Sequence, residues 1–280
     1  MPQSVPLNLY KAVVQGFGQQ WTVFDQTEVE DAVLKRDFEA YFRPFRWDLV
    51  GEQSVGFDMG CGTGRWDKYL APRVGRLHCI EPSAALDVAR RMLAAFPNVT
   101  FHSAGLGDAP LPPNSMDFGI CLGVLHYVPD AASGIKSMAA MLKPGAPLLV
   151  YIYYRFDNRP LWFRAIWRVS DIFRRIISRL PFALRKAVTN AIAALVYWPL
   201  ARLARAAERA GMNISHWPLS SYRNKPFYAM KTDSLDRFGT QREHRYTRAE
   251  IRAMMEEAGL ADVRFSDDIP FWCACAVKKG

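Results

Sequence analysis

The sequence contains no C-x-x-C pair. Its five cysteines, Cys61, Cys79, Cys121, Cys273 and Cys275, stand apart or alternate. That excludes a sequence-level zinc ribbon or dithiol motif. The cysteines read as small core residues in a reducing compartment, and no metal is expected. Residues 1–14 lack a cationic start followed by an apolar core, and no apolar run reaches the ~20 residues that span a bilayer. The expectation is a cytoplasmic chain. Outside residues 155–211 there is no charge excess. That segment holds twelve Lys or Arg against three acids, an excess of nine that equals the net charge of +9 of the whole chain. One segment therefore needs its own explanation. A glycine pattern G-x-G-x-x-G, the mark of a dinucleotide turn, is also missing.

What stands in its place is residues 55–66, Val-Gly-Phe-Asp-Met-Gly-Cys-Gly-Thr-Gly-Arg-Trp. A short apolar strand ends in Asp58, and Gly60, Gly62 and Gly64 follow at alternate positions. Alternate glycines let the backbone turn sharply and approach a ligand with no Cβ in the way. A helix beginning near Arg65 would aim its free amides at the same ligand. A second strand, 77–80, ends at Glu81, placed where an acid meets a ribose diol in a strand-helix-strand unit. Ser83 is set to cap a helix over 84–96, and residues 99–102 read as a third strand. Residues 118–122 form a fourth strand and 131–142 a helix stopped by Lys143-Pro144-Gly145; 146–153 is a fifth strand. Thr247 and Glu250 form a capping box for a helix to Ala258, and 263–266 and 271–277 read as two closing strands.

Asp58 with its three glycines, Glu81, and Gly123-Val124-Leu125-His126-Tyr127-Val128-Pro129-Asp130 together resemble the class I S-adenosylmethionine-dependent methyltransferases, close to the bacterial type 11 group. The resemblance covers residues 55–153. It implies an α/β fold: a doubly wound, Rossmann-like seven-stranded sheet, here with a helical insertion as a lid. It implies S-adenosyl-L-methionine as cofactor, held by Asp58, Gly60, Cys61, Gly62, Gly64, Glu81 and Leu122. Asp108 is the candidate for the adenine amino group, in a loop about two residues longer than the family's, with backbone near Leu106 as the alternative. His126 and Tyr154 are the candidate catalytic residues, His126 as a base or as a structural histidine. Tyr153, Asp157, Tyr222, His244 and Tyr246 are candidates to line the acceptor pocket.

The expected organisation is an N-terminal helical cover (1–50), with a helix over 27–45 after the aromatics Phe17, Trp21 and Phe24. A cofactor-binding core (51–153), a basic helical insertion (154–242) and a closing helix and hairpin (243–280) follow. In the insertion, aromatic and aliphatic residues alternate with arginines at helical spacing. Three readings stay open: a lid with its apolar face on the core and its arginines solvated, an anionic membrane surface met through 155–211, or arginine recognition of an acidic substrate. Residues 187–201 are uncharged but read as too short and interrupted to span a membrane. Nucleic acid is an unlikely partner, since the arginines interleave with bulky aliphatics. Methyl transfer to a small or lipid-linked acceptor is expected, most naturally an oxygen of a glycan precursor or natural product. The stretch Phe17-Gly18-Gln19-Gln20-Trp21 resembles proteins of that kind. A membrane-borne lipid or quinone, or a non-catalytic scaffold, are the alternatives; nothing speaks to oligomeric state.

Overall fold

The computed structural model describes residues 11–23, 30–241 and 243–280, which divide into two compact units. In the first (11–23, 34–155 and 244–280), the elements begin with helices α1 (Lys11–Val23) and α2 (Asp31–Tyr41), whose first residues fall in the other unit. Strand β1 (Val55–Met59), helix α3 (Asp67–Leu70), strand β2 (Arg76–Ile80), helix α4 (Ala85–Met92), strands β3 (Val99–His102) and β4 (Phe118–Leu122), helix α5 (Ala131–Met141) and strand β5 (Pro147–Tyr151) follow.

Two of these elements differ from expectation. The helix predicted over 27–45 is α2 alone; residues 27–29 and Phe24 lie outside the described residues, while Phe42 and Phe45 leave the helix yet stay buried. The helix predicted from Arg65 begins at Asp67 and lasts four residues before a 3-10 turn through Pro72. Proline cannot donate the next helical bond, so no long dipole points at the glycine turn.

The second unit (30–33, 156–241 and 243) is built of α6 (Leu161–Ile177), α7 (Phe182–Ile192), α8 (Trp198–Arg209) and α9 (Phe227–Gly239). A π-helical turn joins α7 to α8, so Phe182–Arg209 forms one helical run of 28 residues, long and apolar enough to cross a membrane. This corrects the interrupted 187–201 reading. Pro199, which cannot donate a helical bond, stands just past the π-helical turn Ala193–Tyr197, so the bulge and the missing N–H fall together inside the run. The unit's core packs Ile177, Ala193, Tyr197, Ala201, Met230 and Phe238.

The chain closes with α10 (Arg248–Glu257), β6 (Leu260–Phe265) and β7 (Cys273–Lys278). The Thr247–Glu250 capping box starts α10 as expected. The sheet order is β3-β2-β1-β4-β5-β7-β6, parallel except that β7 runs antiparallel between β5 and β6. Strands buried on both faces need apolar side chains on both, and the sequence supplies them. Phe57, Met59, Cys121 and Val150 face α5 and α10, whereas Phe118, Ile120, Cys273 and Cys275 face α2 and α4. At the centre Gly56 pairs with Phe118 and Gly119 with Phe57. A Cβ on Gly56 would stand 2.3 Å from the Phe118 ring, and one on Gly119 2.4 Å from the Phe57 ring. Each glycine makes room for the neighbouring strand's aromatic.

Candidate active site

In an open α/β sheet the ligand edge lies beyond the carboxyl ends of the strands, where the strand order reverses. Here β1 is that point, with β2 on one side and β4 on the other. The glycine turn leaves it there. The amides of Gly60 and Cys61 both donate to the Ile80 carbonyl, at 2.7 and 3.1 Å, tying the turn to the end of β2. Gly60, Gly62 and Gly64 all have positive φ. The outer two are packed, since a Cβ on Gly60 would meet Val124 at 2.3 Å and one on Gly64 would meet Leu93 at 2.8 Å. Gly62 differs: the nearest atom to its Cβ position is Trp21 Nε1 of α1, at 3.8 Å. The middle glycine is therefore where a ligand can approach the backbone. Gly123, at the end of β4, likewise has nothing within 4 Å of its Cβ position.

Around this turn the fold gathers acids. Glu81 accepts from Gly62 N at 3.2 Å and from Ser83 N at 3.0 Å, so it fastens the turn to the start of α4. Burial raises the Glu81 carboxyl while its Ser83 and Gly62 bonds oppose the rise. Ser83 accepts from Ala85 N at 3.2 Å but is not the cap it was expected to be: α4 runs only over Ala85–Met92, its N-cap position is Ala84, and no side chain caps it. Asp58 is buried and its Oδ1 has no hydrogen-bond partner. Burial, then Asp67, then Glu81 push its carboxyl well above the usual range, against the pull of Arg65. Asp67, fully buried at the head of α3, has both oxygens unpartnered, and burial lifts it to about 7. Asp67 was not foreseen. Between a tryptophan and Lys68-Tyr69 it reads as an ordinary solvated helix-start acid, and only the fold turns it inward.

Beneath the turn, one ligand atom each from Cys61, Asp67 and Cys79 lie within 4.8 Å of one another, the one such group among the described residues. The Cys79 contact lowers the Cys61 thiol, but burial together with the charges of Asp67, Asp58 and Glu81 pushes it up to about 12. It is an inert packing group at this place. Of the three acids, Asp58, raised by burial, is pulled back by the charge of Arg65, whose guanidinium lies over the rings of Trp66 (4.4 Å) and Trp21 (5.3 Å). Burying carboxyls without partners costs free energy, and a cationic ligand relieves that cost. The sulfonium and ammonium of S-adenosylmethionine carry positive charge, so the site fits this cofactor in charge as well as in backbone access.

Along the same edge runs a belt of aromatic rings. Trp66 meets Tyr41 (5.1 Å), Tyr41 meets Tyr151 (5.0 Å), Tyr151 meets Tyr153 (5.8 Å), and Tyr153 meets Tyr127 (5.9 Å). Tyr127 then meets Phe17 of α1 at 4.7 Å, and at the other end Trp21 of α1 shares the Arg65 guanidinium with Trp66. His126 lies behind it, fully buried, with its ring 3.6 Å from that of Tyr153. Tyr153 N donates to His126 Nδ1 at 3.4 Å, which leaves the proton on Nε2, where the buried nitrogen has no partner. Burial, then Arg245 and His244, hold the imidazole well below its usual range. A neutral ring with Nε2–H offers a donor, whereas the expected base needs a lone pair there.

Tyr154 follows on the other side. Its ring faces Phe271 (5.5 Å) and Trp272 (6.2 Å), and its carbonyl accepts from Arg245 at 3.2 Å. Arg245, another residue the sequence did not single out, also lies 5.0 Å over the Tyr153 ring. His244 N bonds the His126 carbonyl at 2.8 Å, and Tyr246 N bonds that of Tyr153 at 3.0 Å, so both sit at this edge. Leu122 ends β4 opposite Tyr151. Asp108 sits in an exposed turn after β3, its amide bonded to the Gly105 carbonyl at 3.1 Å, while neighbouring Leu106 is buried. Asp157 is exposed, and Tyr222 packs on Tyr197 at 5.3 Å in the second unit's core.

Comparison with known proteins agrees with this geometry. A family model described as "Methyltransferase domain" matches residues 57–145. A ubiquinone biosynthesis O-methyltransferase from Sodalis glossinidius is 28% identical over 163 residues, 52% of this chain and 65% of that protein. A second, from Alkalilimnicola ehrlichii, is 31% identical over 38% of this chain and 47% of its own length. A demethylmenaquinone methyltransferase from Bacillus licheniformis is 26% identical over 38% of this chain and 54% of its own. The chain thus spans 65%, 24% and 47% of the first three curated relatives' lengths. Among solved structures, a chain from the complex of the Haloferax volcanii Trm112 methyltransferase activator with a methyltransferase superposes with a TM-score of 0.51. It covers 94% of this chain and 98% of that one, at 16% identity, and so speaks for the fold alone. With its acid-ended first strand, alternate glycines, acid-rich turn and seven-stranded sheet, the chain carries over residues 57–145 a methyltransferase domain of the class I, S-adenosylmethionine-dependent kind.

Proposed function

We propose that the protein transfers the methyl group of S-adenosylmethionine to an oxygen of a small, ring-bearing, lipophilic acceptor of the quinol type. The observation that carries this reading is the aromatic belt, Trp66, Tyr41, Tyr151, Tyr153, Tyr127 and Phe17, set beside the acid-rich glycine turn. Flat apolar rings stack on aromatic faces, and Tyr41, Tyr151, Tyr153 and Phe17 are half-buried beside the buried Trp66 and Tyr127. The names of the relatives, which act in ubiquinone and menaquinone formation, favour the same class over the glycan precursor or natural product expected first.

When bound, the cofactor supplies a methyl group already activated on a cationic sulfur. The chain's own residues hold and align. Asp58 and Glu81 would hold the cofactor's polar groups, Gly62 would admit it to the backbone, and Leu122 and Asp108 would contribute to holding the rest of it. Asp67 supplies negative potential without touching it. Tyr154 bounds the acceptor side, and His126, buried behind the belt, positions Tyr153 by accepting its backbone N–H. Alignment of acceptor oxygen, methyl and sulfur, with water kept out, does most of the work. A quinol hydroxyl is acidic enough to lose its proton late, so a strong base is not required. The protein works in the cytoplasm, against the membrane that holds such acceptors.

The test is to incubate the protein with methyl-labelled cofactor and membrane lipid extract, then separate organic-soluble products. Label in a methoxy group of a ring-bearing lipid supports the reading. Label found in protein or nucleic acid, or no binding of S-adenosylhomocysteine by calorimetry, overturns it.

A further inference from the structure

Helix α6 is built inside out. Its buried side carries charge: Asp171 and Arg174 bond at 2.7 Å, and Arg174 continues to the Thr240 carbonyl at 2.8 Å. Arg237 lies 3.6 Å from the same Asp171. The exposed side is apolar. Trp162, Ile166, Val169, Phe173 and Ile176 recur at intervals of three and four, so they form one stripe along the helix. They are 49%, 52%, 55%, 57% and 60% exposed, and Ile172 beside them is 59% exposed. A water-facing helix has the opposite arrangement.

The run α7–α8 continues the theme. Its small residues Ala193, Ala201, Ala204 and Ala207 are buried, while Leu195, Val196, Trp198 and Leu203 are exposed. Single exposed apolar residues need no explanation, but two helices of one unit presenting such rows do. Arginines flank them: Arg168 and Arg175 are exposed on α6, as are Arg179 beyond its end and Arg209 at the end of α8.

We infer that this unit docks, through the outer faces of α6 and α8, onto the surface of an anionic lipid bilayer. Aromatic and aliphatic side chains enter the headgroup boundary, and the flanking arginines meet lipid phosphates. The charge decides the occupant. Residues 155–211 carry an excess of nine positive charges; a second copy of the chain would bring the same sign to the face, whereas an anionic bilayer complements both charge and apolarity. The run Phe182–Arg209 lies on the surface and does not span. Its alanine stripe, together with Tyr197, is buried in the unit, and the Thr189 carbonyl accepts from Ser234 of α9 at 2.9 Å. The inference holds whatever the methyl acceptor is.

Flotation with phosphatidylglycerol-containing vesicles and with pure phosphatidylcholine vesicles tests it, on the full chain. The intact protein should float with the first and not the second. Ile166→Asp with Phe173→Asp should abolish flotation, and Arg168→Ala should weaken it roughly fivefold. All these positions are exposed, so circular dichroism and melting should match the unsubstituted protein. Brominated lipid should quench tryptophan emission less in Trp162→Phe. Failure to float, equal flotation with both vesicles, or flotation unchanged by the aspartates overturns the inference. A dimer that the aspartates disperse, without vesicle binding, overturns it in favour of self-association.

Discussion

The acid cluster makes cofactor affinity depend on pH, and the size of the effect follows from one residue. Asp67 is held at about 7 by burial, so near pH 6 it is mostly protonated and near pH 8 mostly ionised. A cationic ligand beside it favours the ionised form. If only that form binds well, the apparent Kd is the intrinsic value divided by the ionised fraction, and it weakens about tenfold from pH 8 to pH 6, roughly 1.4 kcal/mol. Asp58, raised in the same direction by burial and by Asp67, can only steepen the slope. Isothermal titration of S-adenosylmethionine into the protein across this range, repeated on Asp67→Asn, gives the measurement. The variant should bind more weakly at high pH and lose most of the slope.

Stability must move the opposite way. An unfolded aspartate titrates near 3.9, so between about 3.9 and 7 the folded protein binds the extra proton. The stability tied to Asp67 is therefore complete below about pH 3.9 and lost as pH rises towards 7, by roughly 4 kcal/mol. Without cofactor, Asp67→Asn should melt higher than the unsubstituted protein at neutral pH. A flat affinity from pH 6 to pH 8, or a slope as steep in Asp67→Asn as in the unsubstituted protein, refutes the reasoning.

Other outcomes follow from the same contacts. Glu81→Ala frees the amides of Gly62 and Ser83 and removes an anchor, so S-adenosylhomocysteine should bind about 1–3 kcal/mol more weakly by calorimetry. Gly62→Ala adds a methyl where a ligand would approach and forces alanine into a left-handed φ of +56°, so melting should show a loss of about 1 kcal/mol of stability, and ligand binding, measured by calorimetry on the folded variant, should be lost as well. Gly56→Ala drives a Cβ into the Phe118 ring and should cost about 1–3 kcal/mol in chemical unfolding, with the ligand site little altered. All five cysteines are buried and free, so a thiol reagent should label none in the native protein and all five after unfolding. Rapid native labelling of Cys61 would refute its placement under the turn.

Much of the site is legible in the linear sequence because it rests on backbone geometry. Alternate glycines after an acid-ended strand, an acid at the end of the next strand and a proline-glycine stop before β5 are local requirements, and local requirements leave residue-type marks. Asp67 and Arg245 leave none, since their surroundings come from segments distant in the chain. Nor does the role of His126 show: the residue type suggests a base, while the hydrogen bond from Tyr153 and complete burial decide which nitrogen holds the proton. Pro72 is the mark in the sequence that could have limited α3, since proline cannot donate the next helical bond.

By itself, then, the sequence determined the fold class, the kind of cofactor and the confinement of excess charge to residues 155–211. Tertiary structure alone decided which carboxyls meet across the turn, and which side of α6 faces outward. Helical periodicity states that apolar and charged residues lie on opposite sides, but it carries no reference to what lies against either. Only packing supplied that reference: Asp171 and Arg174 found partners inside the unit, and the apolar stripe was left facing out.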